Sequence, residues 1–182
     1  TFAPLVIVIS KIATCYFIKE ELHMTTSVST SRVGVHETAK VAIIASLYVA
    51  VTVVLAVISF GAVQLRLSEM FNYLALFHKR YIIAVTLGVV LANFLSPMWW
   101  IDVPVGGIAT LIVLIICRVA TKNMKSLVWK MIVTGLIFTA SMFTVATQLM
   151  IVFDLPFWPT YGMVAVGEAF SMLVGGVTIY LI

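Results

Sequence analysis

Residues 64–110 read QLRLSEMFNYLALFHKRYIIAVTLGVVLANFLSPMWWIDVPVGGIAT. Apolar runs with the composition of membrane spans are interrupted by Gln64, Arg66, Ser68, Glu69, Asn72, Asn93 and Asp102. A charge at the centre of a bilayer costs from about 2.5 kcal/mol upward. Polar groups in such a setting need protein partners, a water-filled cavity or a ligand, so the same stretch announces a membrane fold and a site within it.

The rest of the chain shares this character. Of its 182 residues, 63% are hydrophobic and only 10% charged, and the mean hydropathy is +1.18. These values exclude an ordinary soluble domain and imply an all-α, polytopic membrane protein. The expected architecture is a six-helix bundle with a short second helix and a first loop that dips into the membrane. Val41 to Val63 supplies the first span, about 23 residues against the roughly 20 needed to cross. Leu67 to Phe77 offers only eleven residues before His78, Lys79 and Arg80, too few for an α-helix to cross a core of about 30 Å. The chain between Phe60 and Glu69 must therefore enter the membrane from one side, which is tolerated where backbone is buried in protein or lines a cavity. Later spans are expected at Tyr81 to Leu95, Asp102 to Ala120, Met131 to Phe153 and Tyr161 to Ile182.

Three segments make up the expected domain plan. Residues 1–23 hold an apolar stretch broken by Lys11 and a polar run, with Met24 as the expected true start; they are read as upstream or vector-derived sequence, the alternatives being an interfacial helix or a signal-like segment. Residues 24–39 form a cytoplasmic leader, and residues 40–182 the single transmembrane domain.

The net charge of +4 is a topology signal. Arg32, Lys40, Lys79, Arg80, Arg118, Lys122, Lys125 and Lys130 fall on one side of the six segments and Arg66 alone on the other, eight to one. By the positive-inside rule the eight are cytoplasmic, as are both termini of a multi-pass protein of the cell membrane. This distribution argues against nucleic acid as a partner. Cys15 and Cys117 lie in apolar runs without metal spacing and are read as reduced and structural. Nucleophile-elbow, zinc-protease and phosphate-loop motifs are missing, and the three histidines form no ligand pair, so neither a catalytic nor a metal site is expected and no cofactor is implied.

Candidate ligand-binding residues are Gln64, Arg66, Ser68, Glu69, Asn93, Asp102 and Glu168, all near the outer ends of their segments. Carboxylates accept from N–H-rich ligands, while amides offer a donor and an acceptor, so a guanine-like ring edge is one chemical match. Structural readings compete: Arg66 and Glu69, three apart, can pair with each other; Asn93 can bridge helices; Asp102 can cap the fourth span. Glu168 has no adjacent basic residue in sequence. Ala42, Ser46 and Ala50 place a smooth stripe on the first span, suited to close approach of another helix inside or outside the bundle.

The segments QLRLSEMFNYLALF, TLGVVLANFLSP and IDVPVGGIATL resemble successive signatures of the QueT family, the substrate-binding subunits of energy-coupling factor (ECF) transporters assigned to queuosine precursors. The similarity runs over residues 39–180 and is most specific in 64–110. The resemblance implies a six-helix subunit that captures a 7-deazaguanine, such as preQ1 or queuine, from outside. It also implies partners: a transmembrane coupling subunit and two cytoplasmic ATPases that hydrolyse the ATP. On that resemblance Gly106 and Thr110 neighbour the site, Glu168 matches the acidic position of the last helix, Thr144 or Gln148 serves where relatives carry an Asn, and the Ala42, Ser46, Ala50 stripe is the docking face for the coupling subunit. Other readings are an ECF subunit for a different vitamin-like solute and a membrane assembly protein whose polar groups only lock helices together.

Overall fold

The computed structural model describes residues 30–55 and 66–181. Among them there are α1 (Thr30–Val54), a 3-10 helix (Leu67–Leu76), α2 (Arg80–Asn93), α3 (Trp99–Thr121), α4 (Leu127–Ser141), α5 (Phe143–Phe153) and α6 (Phe157–Tyr180), and no strand. Since α4 and α5 continue one apolar stretch, Leu127–Phe153, the described segments make the six helical segments expected of the sequence. Val35–Val54, Trp99–Thr121, Leu127–Phe153 and Phe157–Tyr180 are long and apolar enough to cross a membrane, and α2 is a shorter apolar helix. Ile83, Leu87 and Leu91 of α2, Ile108, Ile112 and Ile115 of α3, and Val166, Phe170 and Leu173 of α6 face outward. In water this would be an untenable surface; in a bilayer it is the solvated one.

Inside, lipid provides no hydrophobic drive for helix to meet helix, because acyl chains are as apolar as leucine. Close approach and interhelical hydrogen bonds take its place. α1 packs on α2, α2 on α3, and the 3-10 helix on α6, around a core that includes Ile44, Tyr48, Val85, Leu114 and Met172. At Gly175 of α6 a Cβ would collide with Met70 of the 3-10 helix, lying 2.8 Å from its Cα, so only glycine lets these two backbones meet.

The second segment is short, as its length requires, but it is a 3-10 helix rather than an α-helix. At about 2.0 Å per residue its ten residues reach about 20 Å, still less than the roughly 30 Å of a bilayer core. Runs longer than three or four residues are uncommon in this conformation because side chains at i and i+3 eclipse and the hydrogen bonds are poorer. Here the eclipse is used: it sets Asn72 directly over Glu69, and Asn72 Nδ2 donates to Glu69 Oε2 at 2.5 Å. The membrane-dipping loop expected before it, with Gln64, lies outside the described residues except for its last few; of these Arg66 is extended and Ser68 and Glu69 are buried.

Boundaries differ from the sequence reading in instructive ways. α1 begins at Thr30, so the later part of the leader is helical and continuous with the first span. α3 begins at Trp99, three residues before the expected Asp102, so that Trp99 and Trp100 lie in its first turn. α6 begins at Phe157 with Pro159 in its opening turn, where a missing N–H costs nothing. The fifth span is broken at Met142: Ser141 Oγ donates to Phe138 O and Thr144 Oγ1 to Ser141 O, and such back-bonding hydroxyls bend helices. α5 ends at Asp154 in the left-handed region, φ 54°, a common helix stop for which Asp is better suited than bulkier residues.

Contacts fix the two ends of the bundle. Arg80 pairs with Glu37, joining the starts of α1 and α2, and Arg118 Nη1 donates to Ala75 O at 2.7 Å, joining the ends of α3 and the 3-10 helix. This is the basic end. The end of α2 and the start of α3 turn back at the other, polar end.

Candidate functional site

A cavity opens at the polar end among the 3-10 helix, α2, α3, α4, α5 and α6. It holds about 70 Å³, several times the roughly 10–15 Å³ that one water requires. Arg66, Glu69, Asn93, Asp102 and Glu168, the candidates from four separate stretches of sequence, all line it, with Gly106, Thr110, Thr144 and Gln148.

The polar groups form two linked sets. Arg66 Nη1 donates to Asn93 Oδ1 at 3.1 Å, and Asn93 Nδ2 donates to the Asp102 carbonyl at 2.8 Å. The Asp102 carboxylate receives Ser96 Oγ on one oxygen and Gln148 Nε2 on the other. It therefore ties the α2–α3 turn to α5. This replaces the expected capping role: no side chain caps α3, although Asp102 in the first turn also suits the helix dipole. Asn93 does bridge α2 to α3. Gly106 makes room for it, since a Cβ there would strike the Asn93 amide.

The second set centres on Glu69. Its Oε1 accepts from Tyr48 OH of α1 at 2.7 Å, and its Oε2 from Asn72. Glu69 is thus held by neutral donors on both oxygens, while Arg66 donates to Asn93. Ser68 does not line the cavity. It is fully buried, its hydroxyl 2.8 Å from that of Thr52 of α1, because the residue before Glu69 in a helical turn points to a different neighbour. Thr52 Oγ1 is also 2.9 Å from the Tyr48 carbonyl.

Glu168 differs from both other acids. It is 3% exposed, and its Oε1 has no hydrogen-bond partner among the described residues.

Sequence reasoning passed over Tyr48, Ser96 and the placing of Asn72. Tyr48 was hidden because tyrosine passes as apolar; the signal was a phenol in the middle of a span, where its hydroxyl must find a partner. Ala42, Ser46 and Ala50 lie on the exposed face of α1, opposite Tyr48 and Thr52. A larger cavity of about 530 Å³ between α4 and α6 is lined almost wholly by apolar residues, including Ile132, Leu136, Leu173 and Val177, with Tyr73 at its floor. Tyr73 OH is spent on the Met172 carbonyl at 3.0 Å, which leaves that groove little with which to orient a polar solute.

Residues 38–182 match the QueT transporter family. The chain belongs to the QueT family. Every described cavity residue falls inside the matched region. Among curated proteins, the queuosine precursor transporter QueT of Lactococcus lactis subsp. cremoris (strain MG1363) is 41% identical over 144 residues, 74% of this chain and 85% of that protein. No solved structure matches. The family and the apolar helices together make this a multi-pass membrane protein.

Proposed function

We propose that this QueT-family chain is the substrate-capture subunit of an ATP-driven importer and binds a queuosine precursor, a 7-deazaguanine such as preQ1 or queuine, in the polar-end cavity from outside the cell. The observation that carries the reading is the convergence of Arg66, Glu69, Asn93, Asp102 and Glu168 on one cavity in a chain similar to a named queuosine precursor transporter. Carboxylates beside an amide complement a ring edge that presents N–H donors next to a carbonyl. A mostly apolar cavity with a few convergent polar groups is the usual form of a small-molecule site.

In this reading the chain is not an enzyme, and ATP hydrolysis belongs to two cytoplasmic ATPases reached through a transmembrane coupling subunit. The exposed Ala42, Ser46, Ala50 stripe is the face offered to that subunit. The basic end, with Arg80 and Arg118, is cytoplasmic together with both termini, in accord with the positive-inside rule. The site consists of Arg66, Glu69, Asn93, Asp102 and Glu168, with Gln64 assigned from sequence and Ser68 acting from behind through Thr52.

The test is a ligand panel on the purified protein. A 7-deazaguanine at micromolar concentration is expected to raise its thermal stability, and guanine, riboflavin and thiamine to do so much less. Stabilisation by an unrelated vitamin would keep the transporter reading and discard the substrate; stabilisation by none would favour an assembly protein. Co-purification with a coupling subunit and ATPases tests the importer.

A further inference from the structure

Counting hydrogen-bond capacity around the cavity separates its acids. Both oxygens of Glu69 are taken, by Tyr48 and Asn72, and both oxygens of Asp102, by Ser96 and Gln148. Asn93 spends its carbonyl on Arg66 and its amide on the Asp102 backbone. Glu168, by contrast, has a buried Oε1 with no partner within the described residues. An unsatisfied buried acceptor is costly, and more so when it belongs to a carboxylate; native proteins hold few of them, and each has a reason, which in the wall of a cavity a bound ligand can supply.

Charge points the same way. Three carboxylates, Glu69, Asp102 and Glu168, line the cavity against one guanidinium, Arg66. A cationic guest reduces this imbalance, whereas a neutral one leaves it standing in a medium of low dielectric.

We propose that Glu168 is the residue that selects an amine-bearing, cationic 7-deazaguanine over a neutral one, its cavity-lining carboxylate accepting an N–H bond from the ligand's ammonium group. This rests on the deazaguanine reading above and adds which form of the ring the site prefers and which residue decides it. Glu69 and Asp102, whose oxygens each already accept one protein donor, are held in place by the protein and are less free to turn toward an added charge.

The probes are 7-aminomethyl-7-deazaguanine, which carries an ammonium group, and 7-cyano-7-deazaguanine, which is neutral and shares the ring. Titrated calorimetrically into the purified full chain, the aminomethyl compound should bind about tenfold or more tightly than the cyano compound, as a charge-assisted bond predicts. Glu168→Gln should remove most of that preference, weakening the aminomethyl compound by about tenfold or more and the cyano compound by much less. Equal affinities of the two compounds for the wild-type protein would overturn the proposal, a comparison that needs no variant to fold. So would an equal loss of both in Glu168→Gln, which would mean that Glu168 reads the ring. If the cyano compound binds and the aminomethyl compound does not, charge selection falls and the deazaguanine reading stands; if neither binds, both fall.

Discussion

Tyr48→Phe removes one hydroxyl and leaves the ring, so it opens no cavity around a side chain that is 1% exposed. What it deletes is the 2.7 Å hydrogen bond to Glu69 Oε1. Interhelical hydrogen bonds in membranes average only about 0.6 kcal/mol and reach at most about 1.7. A bond to a carboxylate is stronger, about 1.5–3 kcal/mol, and its loss strands a buried acceptor. The two ranges meet at about 1.5–1.7 kcal/mol, which is the expected loss of stability for Tyr48→Phe. Thr52→Val offers the contrast, because it breaks a bond between two neutral hydroxyls, Thr52 and Ser68, and should cost about 0.6 kcal/mol. Unfolding of both variants in detergent micelles, with and without ligand, measures the difference. If the freed Glu69 carboxylate also loses its aim into the cavity, ligand affinity falls by up to about 17-fold, the same energy expressed as binding. A Tyr48→Phe cost no larger than that of Thr52→Val would refute the idea that Tyr48 holds Glu69.

Gly175→Ala should destabilise the protein by about 1–3 kcal/mol, the usual penalty of overpacking, because the new methyl meets the Met70 backbone; unfolding in micelles reads it, and a neutral result would mean that α6 and the 3-10 helix can separate freely. Asp102→Asn replaces one acceptor by a donor facing Ser96 or Gln148, so ligand affinity should drop about tenfold or more, measured by calorimetry, with unchanged affinity removing the α3–α5 link from the site. Ala50→Trp on the exposed face of α1 should abolish uptake by cells while leaving ligand binding by the purified protein intact; retained uptake would free that face of any docking role.

The apolar spans were legible because a bilayer demands long runs, and residues such as Ile108 to Ile116 leave no other reading. The cavity was partly legible for the opposite reason: Arg66, Glu69, Asn93, Asp102 and Glu168 violate those runs, and the five converge on one cavity, a candidate site. Partner assignments were not legible. Arg66 and Glu69 stand three apart and invite pairing, yet the extended backbone at Arg66 sends its guanidinium to Asn93. The 3-10 winding was invisible because LSEMFNYLAL satisfies an α-helix equally well; its tight packing on α6 at Gly175 is a tertiary fact. The break at Met142 was closer to the surface of the sequence, since Thr139, Ser141 and Thr144 cluster around it and hydroxyls of this kind loosen helices.

One helix carries two duties on opposite sides. α1 turns Tyr48 and Thr52 toward Glu69 and Ser68, and Ala42, Ser46 and Ala50 toward the outside. A helix with its side chains is only about 10–12 Å thick and is stiff about its own axis. Whatever rests against the smooth stripe is therefore separated from the cavity wall by a single rod, and any roll of α1 that follows a change at Glu69 sweeps the outer stripe through the same angle.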